Sequence, residues 1–379
     1  MYKPAWQWAR NVARLANKEL RSLFGDVPLM ALIIFAFTVA IYTTAKGVKA
    51  EVANASVGII DSDNSALSRR LRDAIRPPYF KPPRDITHQQ AGPALDSSDV
   101  IFVIDIPPRF EADVLARRAP AIQVTVDATA MTQAGLGVVY LNQIFLKELL
   151  DFFHQQGIES VLPAPPVMHV LFNPNNQSHW FTSVMQIVTN VTVLAIILVG
   201  AAVIREREHG TIEHLLVMPV RPSEIAMAKI LANGGVILLA VSLSLWLVVH
   251  EWLHVPLLGS VPLFLTGTAL YLFAVTALGI LLATLASSMP QFGLLAAPVY
   301  VVLYLLSGAA TPVESMPELI QRIVQVSPTT QFVKMTQAVL YRGAGLDIVW
   351  PQLLAVATAG ALFLFIALTR FRSMLARQG

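Results

Sequence analysis

A chain of 379 residues in which 55% are hydrophobic and only 13% charged is too apolar for a soluble globular protein, where about a quarter of residues carry charge. It is expected to be an integral membrane protein. A net charge of only +3, with the basic residues gathered locally, argues against a nucleic-acid binder, and the lack of cysteine excludes disulfides, thiol chemistry and thiolate metal sites.

In chain order, residues 1–26 segregate on a helical wheel. Lys3, Arg10, Arg14, Lys18 and Arg21 fall on one face, and Trp8, Val12, Leu15, Ala16 and Leu23 on the other. This spacing predicts a basic amphipathic helix in the headgroup region of the cytoplasmic leaflet, with Trp6 and Trp8 suited to that interface. Docking on a partner is the competing use of the same face. Residues 27–45 are uncharged and long enough to cross about 30 Å of hydrocarbon, which makes them the first span.

From 46 to 178 charges of both signs return, with turns such as Arg76-Pro-Pro and Lys81-Pro-Pro. A soluble α/β domain is expected here. Its strands lie at 57–60, 100–106 and 121–128, where β-branched residues run or alternate, and its helices at 65–75, 107–118 and 129–156. Asp61 and Asp63 invite a calcium-loop reading, but the glycine and the distant glutamate of such a loop are missing, so a strand-to-helix turn is expected.

The remaining spans fall at 180–204, 225–249, 263–286, 292–310 and 348–368, giving six in all. Lys229 stands near the cytoplasmic end of the third and is expected to snorkel. Residues 311–347 are moderately polar and broken by Pro312, Pro317 and Pro328, and an Arg-rich tail closes the chain at 369–379. The amphipathic helix, Arg205, Arg207, Arg221, Lys229 and the tail all fall on one side of a six-span arrangement, which the positive-inside rule makes cytoplasmic. Both termini are then inside, with 46–178 and 311–347 outside.

Between the second and third spans, 205–224 is the most charged short loop. Gly210 is expected to interrupt the outgoing helix and Thr211 to cap a short new one. Pro219 and Pro222 then stop it, and Ser223 caps the next span. The product is a rigid elbow; a merely topogenic, solvated loop is the plainer alternative.

Motifs for chemistry are few. His250-Glu-Trp-Leu-His254 matches the H-E-x-x-H pattern of zinc proteases. It lies at a membrane exit with Pro256 close behind and no recognisable third ligand, so no metal is expected and a membrane metalloprotease is the remote alternative. The spans carry almost no ionisable residues in their middles, which disfavours proton or sodium coupling, and no phosphate-binding G-x-x-x-x-G-K-[ST] occurs. Energy is therefore expected from a separate ATPase. Gln186, Thr189, Asn190 and Thr192 of the second span either line a path or hydrogen-bond between helices.

Four stretches carry a family resemblance: Arg205-Glu-Arg-Glu-His-Gly-Thr-Ile-Glu-His-Leu-Leu-Val-Met-Pro-Val, Lys18-Glu-Leu-Arg-Ser-Leu-Phe-Gly-Asp, Ile106-Pro-Pro-Arg-Phe and Ser307-Gly-Ala-Ala-Thr-Pro-Val-Glu-Ser-Met-Pro. Together they resemble the ABC type-2 transporter permeases over nearly the whole chain, and within them the YhhJ-like inner-membrane permeases. The resemblance implies a six-helix exporter fold with an extracytoplasmic α/β domain between the first two spans, and residues 311–347 dipping back into the outer leaflet as a helical hairpin. It implies that Arg205, Glu206, Glu208, Gly210, Thr211, Glu213 and Leu215 face an ABC ATPase subunit, which binds ATP and Mg. It implies also that spans two and five face a dimer axis, placing Gln186, Asn190, Tyr304 and Ser307 on a substrate path between two permease halves, identical or paralogous. The chain itself would then do no covalent chemistry and hold no cofactor. It would work in the bacterial inner membrane, exporting a drug-like or lipidic substrate, with a periplasmic adaptor and an outer-membrane channel as further partners. A receptor or sensor with an extracytoplasmic domain is the main rival, and it lacks an output domain here.

Overall fold

The computed structural model of the chain describes residues 5–47, 54–97, 99–116, 118, 120–127, 131–155, 178–208 and 220–376. The chain divides into two units, one of Met1–Gly47 with His179–Gly379 and one of Val48–Ser178.

The first unit opens with α1 (Ala5–Gly25), α2 (Val27–Phe37) and α3 (Val39–Gly47). Asp26 parts α1 from α2 and caps α2, its Oδ1 accepting from the Leu29 N–H at 3.2 Å. At Thr38 the first span breaks: φ −124° and ψ −79° leave the helical region, and the hydroxyl turns back to donate to Ile34 O at 2.5 Å. The apolar face of α1 is used within the chain. Val12 and Leu23 are buried, Leu15 and Leu20 pack against the main core, and Trp8 Nε1 donates to Ser223 Oγ at 3.4 Å. Trp6 stays exposed under the guanidinium of Arg10.

The second unit holds β1 (Val57–Asp61), α4 (Ala66–Ala74), β2 (Arg84–Asp85), α5 (His88–Asp96), β3 (Phe102–Ile106), α6 (Phe110–Leu115), β4 (Gln123–Val126) and α7 (Met131–Gln155). Its sheet runs β2-β1-β3-β4, the first three strands parallel and β4 antiparallel to β3, in the register Ile59↔Ile104↔Val124. Parallel strands must be covered on both faces. On one side Ile59, Phe102 and Ile104 pack with Leu67 and Leu71 of α4 and Leu141 and Phe145 of α7; on the other Ile60 and Val103 meet Ile86 and Leu95. The aspartates after β1 form a turn, as their spacing suggested. Asp61 Oδ1 accepts from the N–H groups of Asp63 and Asn64, and its Oδ2 from Ser68 Oγ at 2.8 Å. Asp63 and Glu111 then cap each other's neighbourhoods, Asp63 Oδ2 accepting from Glu111 N and Glu111 Oε2 from Leu67 N. The strands expected at 100–106 and 121–128 are shorter, and β2 and α5 were not expected. The helix after β3 starts at Phe110 rather than Pro107, because Arg109 adopts a left-handed φ of 61°.

The first unit resumes with α8 (Ser178–Glu208), α9 (Pro222–Ser244), α10 (Val261–Leu285), α11 (Met289–Leu305), α12 (Glu318–Val324), α13 (Pro328–Arg342) and α14 (Leu346–Ala376). After Ser244, α9 loosens into π-helical turns over Leu245–Trp252, with Leu253 N–H donating to Val248 O. Five helical stretches among the described residues are long and apolar enough to cross a membrane: Val27–Gly47, Ser178–Glu208, Pro222–Trp252, Val261–Leu285 and Leu346–Arg370. The sixth expected span, α11, has 17 residues and so measures about 26 Å. The fold is thus a multi-span α-helical membrane protein with a small β-sheet region. Of the five long stretches, α8 is the most enclosed by the rest of the chain, and the first span and α14 are the most exposed.

A chain of hydroxyls ties α8, α10 and α13 together deep among the spans. Thr192 Oγ1 lies 2.8 Å from Tyr271 Oη, and Tyr271 donates to Thr329 Oγ1 at 3.0 Å, while its ring stacks on Phe332 at 4.1 Å. Thr329 stands at the start of α13, and Tyr341 near its end donates to Trp180 O at 2.9 Å. The segment after α11 therefore folds inward among the spans, with the foot of α13 reaching the middle of α8.

Candidate functional site: the roots of the elbow

Residues 209–219 lie outside the described residues, and with them Gly210, Thr211, Glu213 and Leu215. The two helices that flank them are described, and their charged ends form an extended polar network.

The last turn of α8 supplies Arg205, Glu206, Arg207 and Glu208. Each side chain reaches a different place. Arg205 Nη1 pairs with Asp26 Oδ2 at the α1–α2 junction, 3.0 Å away. Glu206 Oε2 sits 2.9 Å from Lys229 Nζ of α9, and its Oε1 lies 3.2 Å from Lys18 Nζ of α1. Arg207 Nη1 donates to Ala286 O at the close of α10, and Glu208 Oε1 accepts from the Met289 N–H at the opening of α11.

Lys229 overturns an expectation. Its side chain is only 2% exposed and does not snorkel; it lies between Glu206 and Glu19, whose Oε1 is 3.0 Å away. A buried ammonium loses several kcal/mol of hydration and persists only with good ionic partners. Here it has two. The burial that Lys229 shares pushes the Glu19 carboxyl above the usual range, against the pull of the ammonium. A cavity of about 260 Å³ opens beside the cluster, lined among others by Lys18, Glu19, Arg205, Glu206 and Asn233.

The far root is equally fixed. Ser223 is not the cap of α9: Arg221 holds that position and Pro222 follows at the first helical turn, where its missing N–H costs nothing. Glu224 is fully buried. Its Oε2 accepts from the Arg221 N–H at 2.6 Å and its Oε1 from Asn11 Nδ2 at 3.1 Å. The N-terminal helix thus grips both roots, through Lys18 and Glu19 at one end and Trp8 and Asn11 at the other.

The residues expected on a substrate path are scattered. Gln186 Nε2 donates to Asn190 Oδ1 at 2.9 Å, and buried Asn190 donates to Ala36 O at 2.5 Å, beside the break in the first span. Tyr304 is half-buried and stacks on Tyr300. Buried Ser307 donates to Tyr304 O and accepts from the Ala309 N–H. The H-E-x-x-H pattern is not presented on one helical face: His250 and Glu251 ride on the π-helical turns, and His254 lies beyond the helix end at φ 50°. Among the described residues no three metal-ligating side chains converge.

The site joins the two roots of 209–219 to the ends of the helices around them through ion pairs and hydrogen bonds. The family profile described as ABC-2 family transporter protein matches residues 27–369. The chain belongs to the ABC-2 family. It is similar to the inner membrane transport permease YhhJ of Escherichia coli strain K12, at 48% identity over 363 residues that cover 96% of this chain and 97% of that one. The probable multidrug ABC transporter permeases YbhR and YbhS of the same organism are 27% and 25% identical, over 92% and 90% of this chain and 95% and 91% of theirs. The protein is a membrane permease subunit of an ABC transporter, not an enzyme. Arg207, Glu19 and Glu224 escaped the sequence reading of this permease's site. For Glu19 one signal was there: an ionisable residue at the edge of an apolar run, such as Lys229, calls for a partner of opposite charge.

Proposed function

We propose that the permease is one half of an ATP-driven exporter of the bacterial inner membrane, with six spans, both termini inside, and 205–224 facing a separate ABC ATPase that carries ATP and Mg. Residues 46–178 then lie outside, and 311–347 re-enter from that side as a helical segment. Two halves, identical or paralogous, enclose the path, and closure of the ATPases pushes the elbows and turns the cavity from inward- to outward-open. A drug-like substrate accords with the names of YbhR and YbhS, a lipidic one is the alternative, and a periplasmic adaptor and outer-membrane channel complete the route. Glu213 and Gly210 remain the residues proposed to meet the ATPase and to set the turn that presents it.

One observation carries this reading. Four consecutive charged side chains at the elbow's entrance engage four separate elements, an investment that a loop serving only topology does not need. Glu206 and Glu208, with Arg205, then act by bracing the elbow from within as well as by lying near the ATPase. The test is reconstitution of the permease with its co-purified ATPase. Glu213→Lys and Gly210→Val should leave the permease inserted while transport and substrate-stimulated ATP hydrolysis fall together. Full transport and stimulation with both substitutions present would reduce the elbow to a topogenic loop.

A further inference from the structure

Arg207 and Glu208 reach, side by side, the two ends of a single turn. Arg207 Nη1 donates to Ala286 O at 2.6 Å, and Glu208 Oε1 accepts from the Met289 N–H at 2.8 Å. Ala286 closes α10 and Met289 opens α11. The guanidinium therefore meets a carbonyl at a helix C-terminus, and the carboxylate meets an amide at a helix N-terminus, groups that lack partners within their own helices. Each charge is opposite in sign to the helix end it touches. Exchanging the two would set each against a like partial charge.

Two turns earlier on α8 a second fastening lies in line with the first. Gly200 has no side chain, and a Cβ there would overlap the ring of Phe292, which is buried in the first turn of α11. Beyond that turn α11 is lightly held. Only Phe292 and Ala296 of it are buried, and Leu294 is 77% exposed. Its outer end meets α13 through Thr330 Oγ1, which donates to Leu306 O at 3.3 Å. The inner end of α11 is thus pinned to the tail of α8, the same tail that leads into the elbow.

We infer that Arg207 and Glu208 are positioning residues that lash the α10–α11 turn to the tail of α8, so that displacement of the elbow is carried directly into α11. This rests on the reading of 205–224 as the ATPase-facing elbow. It predicts that α11 answers nucleotide through this charge pair, and that an α11 released from it stays behind while α8 still moves.

The chain has no cysteine, so single spin labels can be placed cleanly. One goes on α11 by Val301→Cys and another on α8 by Ile197→Cys, both at exposed positions. In the reconstituted permease–ATPase complex, oxygen accessibility of each label is compared between the nucleotide-free state and the state trapped with ATP and vanadate. With the pair intact, both labels should respond. Arg207→Glu, which leaves the ATPase-facing Glu208 untouched and sets a carboxylate against the C-terminal carbonyl of α10, should cut the response at 301 at least about fivefold, the low end of ordinary coupling between sites, and leave that at 197 in place. Arg207→Lys, which keeps the charge at the helix end, should preserve both. If the Arg207→Glu chain fails to accumulate, Arg207→Gln removes the charge and carries the same prediction. A full response at 301 with Arg207→Glu or Arg207→Gln overturns the lashing. Absence of a response at both labels in the chain that keeps Arg207 overturns instead the elbow reading on which it rests.

Discussion

Two polar clusters hold the helical unit together, and they are built from different chemistry. At the roots of the elbow the groups are ions: Lys229 between Glu19 and Glu206, Arg205 on Asp26, and Arg207 and Glu208 on helix ends. Deep among the spans the groups are neutral hydroxyls, Thr192, Tyr271 and Thr329. The cost of stripping water from a charge explains the division. In a hydrocarbon setting an ion is expensive even when paired, whereas a hydroxyl is satisfied by one or two neutral partners. At the helix ends, with a partly open cavity beside them, ions are tolerable and supply longer-ranged, stronger ties. The charged cluster joins helix ends to one another, and the neutral one fixes the register of packed helices.

The comparison is broken most severely at Lys229. Lys229→Met leaves Glu19 and Glu206 facing each other without the shared ammonium, and removal of one partner from a buried ionic group costs about 3–5 kcal/mol. Thermal unfolding in detergent should show that loss. Adding Glu19→Gln and Glu206→Gln to the same chain should restore most of it. No gain from the added substitutions would mean that Lys229 matters for its packing and not its charge. A smaller effect is expected in the neutral cluster. Tyr271→Phe keeps the stack on Phe332 and removes only the hydroxyl between Thr192 and Thr329, so the same measurement should fall by about 1 kcal/mol, the scale of one hydrogen-bonded group among membrane helices. A loss as large as that of Lys229→Met would erase the distinction between the clusters.

The sequence made the spans and strands easier to read than the polar ties between them. Spans announce themselves by hydropathy and the β-branched strands β1, β3 and β4 by composition, but β2 is two polar residues, Arg84 and Asp85, and α5 carries Gly92 and Pro93 inside it. Neither has a periodicity to recognise. The break at Thr38 is equally silent, because threonine is common in unbroken spans. Lys229 was legible as an ion near a membrane edge, yet its fate depends on Glu19, 210 positions away, and on the docking of α1 along α9. Helical phase alone does not reveal that docking. The charged stretch 205–208 stood out at once, but its outward-facing charges and its inward-facing ones look alike in a string. Only coordinates show that Arg205, Glu206, Arg207 and Glu208 all find partners within the chain.

The smallest effect concerns the proton, and it sharpens the contrast from the charged side. Glu19 has its carboxyl raised from an ordinary value of 4.5, first by burial, then by the nearby Glu206, with Lys229 opposing. A carboxyl raised on folding binds its proton more tightly in the folded state than in the unfolded one. Its contribution to stability is therefore fully present below the unfolded value and is lost as pH rises through the folded one. This is opposite to the usual salt-bridged carboxylate, which stabilises as it ionises. Glu19→Gln holds the group neutral at every pH. The difference in stability between Glu19→Gln and the unaltered permease should therefore grow in favour of the glutamine as pH rises above the ordinary value of 4.5 and through the raised folded one. Unfolding midpoints of the two chains, measured in parallel across that window, give the sign directly. A difference moving the other way would mean that the pull of Lys229 outweighs burial, and that the cluster is a conventional ion pair sealed at the membrane edge.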